Sequence, residues 1–162
     1  MYRVIGNHYI SNDTIESIGK FTILWGMVED KYFNRCCSAA KLCKMVVVNN
    51  CDDLIVKAQE IKAALFSEYD TADEIIHYMC FRKNDNSYKS HVVSFLSENE
   101  SDADIKTFAA VCICFRIRNN MFHGEKCFSL LNQQRKFFDA CSGFLDELVL
   151  REDILEIKDD ST

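Results

Sequence analysis

The sequence predicts an all-α fold, a bundle of four long helices with one or two short ones, and three observations carry that reading. The chain of 162 residues holds no proline and five glycines, against average usage of about 5% and about 7%, so the turn chemistry of an all-β protein is missing. Apolar residues recur at steps of three and four along most of the chain. The breaks between these stretches are short and polar, as connections in a helical bundle are. With 48% hydrophobic residues the chain is one domain of ordinary size over 1–162, with a leader over 1–12 and an acidic tail over 152–162.

Taken in order, Asp13 and Glu16 form a capping-box pattern that opens a first helix carrying Ile15, Ile18, Phe21, Ile23, Leu24, Trp25, Val28 and Phe33. That helix is apolar over more than half its circumference and is expected at the centre. A second helical stretch runs from about residue 34 to 48 and ends at Asn49 and Asn50. Val46, Val47 and Val48 also suit a strand, but no apolar run offers itself as a partner. Asp52 or Asp53 caps a third helix through Leu54, Ala58, Ile61 and Leu65. A short helix follows over Ile75 to Met79, after the polar break 67–70. Residues 82–86 and 97–102 read as loops. Ser101 with Asp104 caps a helix over 105–123, and a last long helix carries Phe137, Phe138, Cys141, Phe144, Leu145 and Leu148. The tail holds few large apolar residues and is expected to fray.

Charge and cysteine content exclude several functions. A net charge of −6 gives no general attraction to nucleic acid or anionic lipid, so a polyanionic ligand has to be gripped locally. No apolar run approaches the ~20 residues that a membrane-spanning helix needs. Nine cysteines are an odd number, and the first residues lack the apolar core of a secretory signal, so a reducing cytoplasm is the expected setting. Cys36-Cys37 and Cys112-x-Cys114 lack the spacing of zinc knuckles, and small core residues explain them better. Five isolated glycines form neither a P-loop nor a dinucleotide turn. No metal and no cofactor are expected.

One stretch departs from scaffold. Between Cys114 and Lys126 a helical apolar run ends in Arg116, Arg118, Asn119, Asn120 and His123, followed by Gly124. Steps of three and four join Phe108, Val111, Phe115, Arg118 and Phe122, which puts Arg118 on the apolar seam of its own helix. A guanidinium cannot shed its charge by losing a proton, so there it needs a carboxylate, a phosphate or a neighbouring chain. Asn119 and His123 stand one turn apart, beside the row Ala109, Cys112 and Arg116. Gly124 suits a helix stop. A plainer reading makes Arg118 and His123 helix-end cations that complement the macrodipole.

The string Arg118-Asn119-Asn120-Met121-Phe122-His123 resembles the R-x4-H motif of HEPN domains, with the polar residue that this family places after the arginine. The longer run through Gly124 and Lys126 is similar to the Apea-like, defence-associated members, and Trp25 with Glu29 on the first helix adds a less specific likeness. The resemblance implies a HEPN-like helical bundle and a metal-independent endoribonuclease, a toxin or antiviral effector that works as a homodimer and answers to an antitoxin or defence-system partner. It assigns catalysis to Arg118, Asn119 and His123, with Arg116, Asn120 and Lys126 in substrate binding. His123 would serve as proton acceptor and Arg118 as phosphate cation. Glu125 stands where HEPN toxins neutralised by a nucleotidyltransferase carry a tyrosine. The alternative is a non-catalytic HEPN module that binds a nucleotide or a partner protein. In the dimer, the helix over 105–123 is expected near the two-fold axis.

Overall fold

A computed structural model describes residues 1–97, 99–122 and 130–159. Among them the chain is mostly helical, with seven α-helices and four short strands. Strands β1 (Tyr2–Ile5) and β2 (His8–Ser11) precede α1 (Asn12–Tyr32). Then come α2 (Ala39–Lys44), β3 (Met45–Val47), α3 (Asp52–Glu68) and α4 (Ala72–Met79). A single 3-10 turn (Lys83–Asp85) leads into α5 (Asn86–Leu96), and α6 (Ala103–Phe122), α7 (Arg135–Leu150) and β4 (Leu155–Ile157) complete the order. Helix α5, with Tyr88, Val92, Phe95 and Leu96 buried, lies between two loops that the sequence marks and adds an element not assigned from it.

The leader is an antiparallel hairpin, not a loose arm. Its register pairs Tyr2 with Ser11 and Ile5 with His8, and Gly6 at φ 59° supplies the positive φ that a two-residue hairpin turn needs. Asn132 fastens it from the far side of the chain: Ser11 N–H donates to Asn132 Oδ1 (2.9 Å) and Asn132 Nδ2 donates to the Tyr9 carbonyl (2.9 Å). Because β2 runs straight into α1, Ser11 becomes the cap, and its Oγ accepts from Thr14 N–H at 3.1 Å. This replaces the expected Asp13–Glu16 box. Two other caps also move. Asp102, not Ser101, accepts from Asp104 N–H and Ile105 N–H at the start of α6, and α3 begins after Cys51 without a side-chain cap. Thr71 and Glu74 form a reciprocal capping box on α4.

The second and the last segments correct the sequence reading together. The helix expected over 34–48 is only α2, and the valines after it form β3, whose partner is β4 from the tail: Met45 pairs with Ile157, Val46 with Glu156 and Val47 with Leu155. Ile154 and Leu155 are buried, so the tail is anchored through these residues instead of fraying.

Packing makes α6 the central helix. Helix α7 packs between α1 and α3, while α6 packs against α5 and α3. Every residue of α6 from Ala109 to Ile117 is buried, as befits a helix that is apolar nearly all round. The first helix, expected at the centre, keeps Ile23 and Met27 exposed on its outer side. Enclosure of α6 over Ala109–Ile117 leaves its two ends, not its middle, for the contact with a second copy that the sequence reading expects.

Candidate functional site

The arginine buried on α6 is Arg116, not Arg118. Its side chain is 1% exposed, and its charge is met by the chain itself. Arg116 Nη1 donates to Asp85 Oδ2 at 2.9 Å, and Nε and Nη2 both donate to Asn120 Oδ1, at 3.0 and 2.7 Å. Asn120 Nδ2 in turn donates to the Met79 carbonyl at 2.9 Å. Asp85, also buried, takes the Arg82 N–H at 2.7 Å. This clasp ties α6 to the end of α4 and to the 3-10 turn. Each donor in it faces an acceptor, which is the condition for a buried charge to be tolerated.

The sequence places the two clasp residues of α6 four apart, the spacing at which helix side chains meet. Asp85 was hidden in a stretch that reads as a loop. Beside it, burial and then the Asp85 carboxylate push the Tyr88 phenol well above its ordinary range.

Arg118 stands two residues further on, half-buried, where α6 leaves the core. Its Nη1 donates to Asn119 Oδ1 at 3.0 Å, so the adjacent amide fixes one edge of the guanidinium. One turn back on α6, Phe115 meets Trp25 at 6.2 Å, and Trp25 stacks on Phe33 (6.4 Å between centroids). The loop after α1 closes against this end of α6. There Glu29 Oε1 accepts from Cys37 N–H at 3.1 Å, the Glu29 carbonyl takes the Phe33 and Arg35 amides, and Lys41 Nζ donates to the Phe33 and Cys36 carbonyls. Trp25 and Glu29 are thus both beside the helix end, one as packing and the other as loop anchor.

Three thiols near the site, Cys37, Cys112 and Cys114, are held in the protonated form by burial. Burial, then Glu29 and Cys36, push Cys37 up, against the smaller downward pull of Lys41 and Arg118. Burial pushes Cys112 and Cys114 up as well. Such thiols hold their protons at neutral pH. All cysteines among the described residues are free, and no group of three His, Cys, Asp or Glu side chains among them could hold a metal ion. No helix among them is long and apolar enough to cross a membrane.

Of the six site residues expected from sequence, the structure brings four onto the last turns of α6 and divides them by role. Arg118 and Asn119 are at the half-open end, whereas Arg116 and Asn120 have their polar groups engaged inside the chain, which fits positioning and not substrate contact. His123 and Lys126, with the helix stop at Gly124, lie outside the described residues. Comparison of the chain with protein-family models, with curated proteins and with solved structures found no match.

Proposed function

We propose that the end of α6 is the active site of a metal-independent endoribonuclease of the HEPN type. The observation that carries this reading is the Arg118–Asn119 pair, half-buried and mutually bonded at the end of a helix held by the Arg116 clasp, in the R-x4-H pattern. A guanidinium fixed by its neighbour is ordered before substrate arrives, which is what stabilising a developing phosphorane charge requires. His123 takes the proton of a ribose 2′-hydroxyl; the 2′-oxygen attacks the adjacent phosphorus, and the P–O5′ bond breaks, the departing 5′-oxygen taking a proton from solvent and His123 returning its own to solvent, to leave a 2′,3′-cyclic phosphate and a 5′-hydroxyl. Lys126 adds a second cation for the backbone. Arg116 and Asn120 set the direction of the helix end.

With a net charge of −6, one copy offers a polyanion little attraction. A homodimer that faces two helix ends across a two-fold axis concentrates the cations. The effector would act in a reducing cytoplasm under the control of an antitoxin or defence-system partner. Induced expression in a bacterial host should arrest growth and fragment RNA, and Arg118→Ala or His123→Ala should relieve both. Equal toxicity of the wild type and His123→Ala would sink the assignment. Cleavage should continue in the presence of a chelator, and activity restored only by Mg²⁺ would rule out this chemistry.

The same negative charge favours a second reading, a HEPN module that binds a nucleotide or partner protein without cutting. Purified protein that retains RNA but leaves it intact over long incubation would decide for it.

A further inference from the structure

A groove of ≈ 780 Å³ opens between the end of α3, α4 and the turn that precedes α7, lined by Tyr69, Asp73, Glu74, His77, Tyr78 and Gln134, among others. Its volume falls in the range of small-molecule sites, roughly 300–1,000 Å³. Tyr69 and Tyr78 form one wall, with ring centroids 5.0 Å apart and planes inclined by 31°. Gln134 is 5% exposed and, among the described residues, its Oε1 has no hydrogen-bond partner. This glutamine occupies the residue before α7, but its side chain makes no cap hydrogen bond there. It lines the groove instead.

We propose that this groove binds a guanidinium cation, stacked on the tyrosine wall and donating an N–H to Gln134 Oε1. Three features select that chemistry. A buried acceptor left without a donor costs stability, so a ligand that supplies an N–H gains there what an apolar molecule would not. The Asp73 and Glu74 carboxylates belong to the lining, and they repel phosphates and carboxylates and attract a cation. Planar guanidinium both stacks on aromatic faces and presents a fork of donors, which a compact ammonium does not. Glu74 Oε2 is engaged with the Asp70 and Thr71 amides, and Asp73 supplies the second carboxylate of the lining.

Two sources carry this group, a free metabolite and an arginine side chain of a partner protein, and the probes separate them. Titration of the full chain with N-acetyl-arginine amide, followed by NMR shifts of the Tyr69, His77 and Gln134 amides, should saturate. The neutral isostere N-acetyl-citrulline amide should bind about tenfold weaker or worse, a difference of roughly 1.4 kcal/mol. Gln134→Leu and Asp73→Asn should each weaken the arginine probe several-fold. Should Gln134→Leu fail to fold, the exposed Asp73→Asn carries the test. A short peptide with one central arginine that binds tighter than the amide assigns the group to a partner protein, and equal binding assigns it to a metabolite. No saturation with the arginine probe, equal binding of the citrulline probe, or an unchanged Asp73→Asn would overturn the proposal. None of these readouts depends on RNA cleavage.

Discussion

Arg116 and Arg118 lie two residues apart on one helix and meet opposite surroundings. The first is sealed in the core with a carboxylate, an amide and, through that amide, a carbonyl; the second is half-buried and bonded to the neighbouring amide of Asn119. A turn of some 200° separates them on the helix, enough to carry one into the chain and the other to its edge. The contrast shows that a run of polar residues at a helix end can divide between an inner group that places the helix and an outer one left at the edge of the chain.

The sharpest test removes the inner partner. Arg116→Ala leaves Asp85 buried and unpaired, and urea unfolding should show a loss of about 3–5 kcal/mol, whereas replacing both Arg116 and Asp85 by apolar residues should restore much of it. An Arg116→Ala protein of unchanged stability would break the distinction. The outer arginine is expected to behave in the reverse way: Arg118→Ala should lower RNA cleavage by about 10²–10³-fold, with thermal stability little altered. A large fall in melting temperature for Arg118→Ala would place it with the clasp.

Alkali gives a third, smaller probe. Tyr88 beside the clasp is raised above its ordinary 10.0, and Cys112 and Cys114 above 9.0. The unfolded chain releases these protons first, so it binds fewer protons than the folded chain, and stability, complete below about pH 9, falls as pH rises further. The slope is limited to about 1.4 kcal/mol per pH unit for each group. Tyr88→Phe should flatten the part above pH 10 in urea unfolding, while Arg118→Ala should not. The mildest change concerns the residue after Met79, whose carbonyl anchors Asn120. Cys80 closes α4 at φ 50°, ψ 51°, a left-handed conformation that glycine adopts more readily, and Cys80→Gly should raise stability by roughly 0.5 kcal/mol in calorimetry.

The helices were legible because periodicity and polar breaks are local. What escaped was of another kind. Val46 and Val47 find their partners in Glu156 and Leu155, and no local pattern joins positions so far apart in the chain. The seam arginine was misplaced because α6 is apolar all round. Counting by threes and fours from Phe122 selects one stripe, but Ala109 to Ile117 is buried on every side, so periodicity cannot say which polar residue enters the core. The pair Arg116 and Asn120, one turn apart, was the available signal, together with an aspartate, Asp85, in a break that looked like simple loop. Arg118 and Asn119 were legible as a candidate site through their place at the end of the apolar run, although the carboxylate that the seam argument demanded belongs to Arg116.

The ladder of β3 and β4 bears on how fast the chain folds. Residues 45 and 157 pair across most of the chain's length, and closing so long a loop has an entropic cost that local helix formation does not carry. The ladder is therefore expected to form late, after the rate-limiting barrier. Weakening it, for example by Leu155→Ala, should speed unfolding and leave the refolding rate nearly constant, so that the two strands act as a latch on kinetic lifetime more than as a guide to the native state.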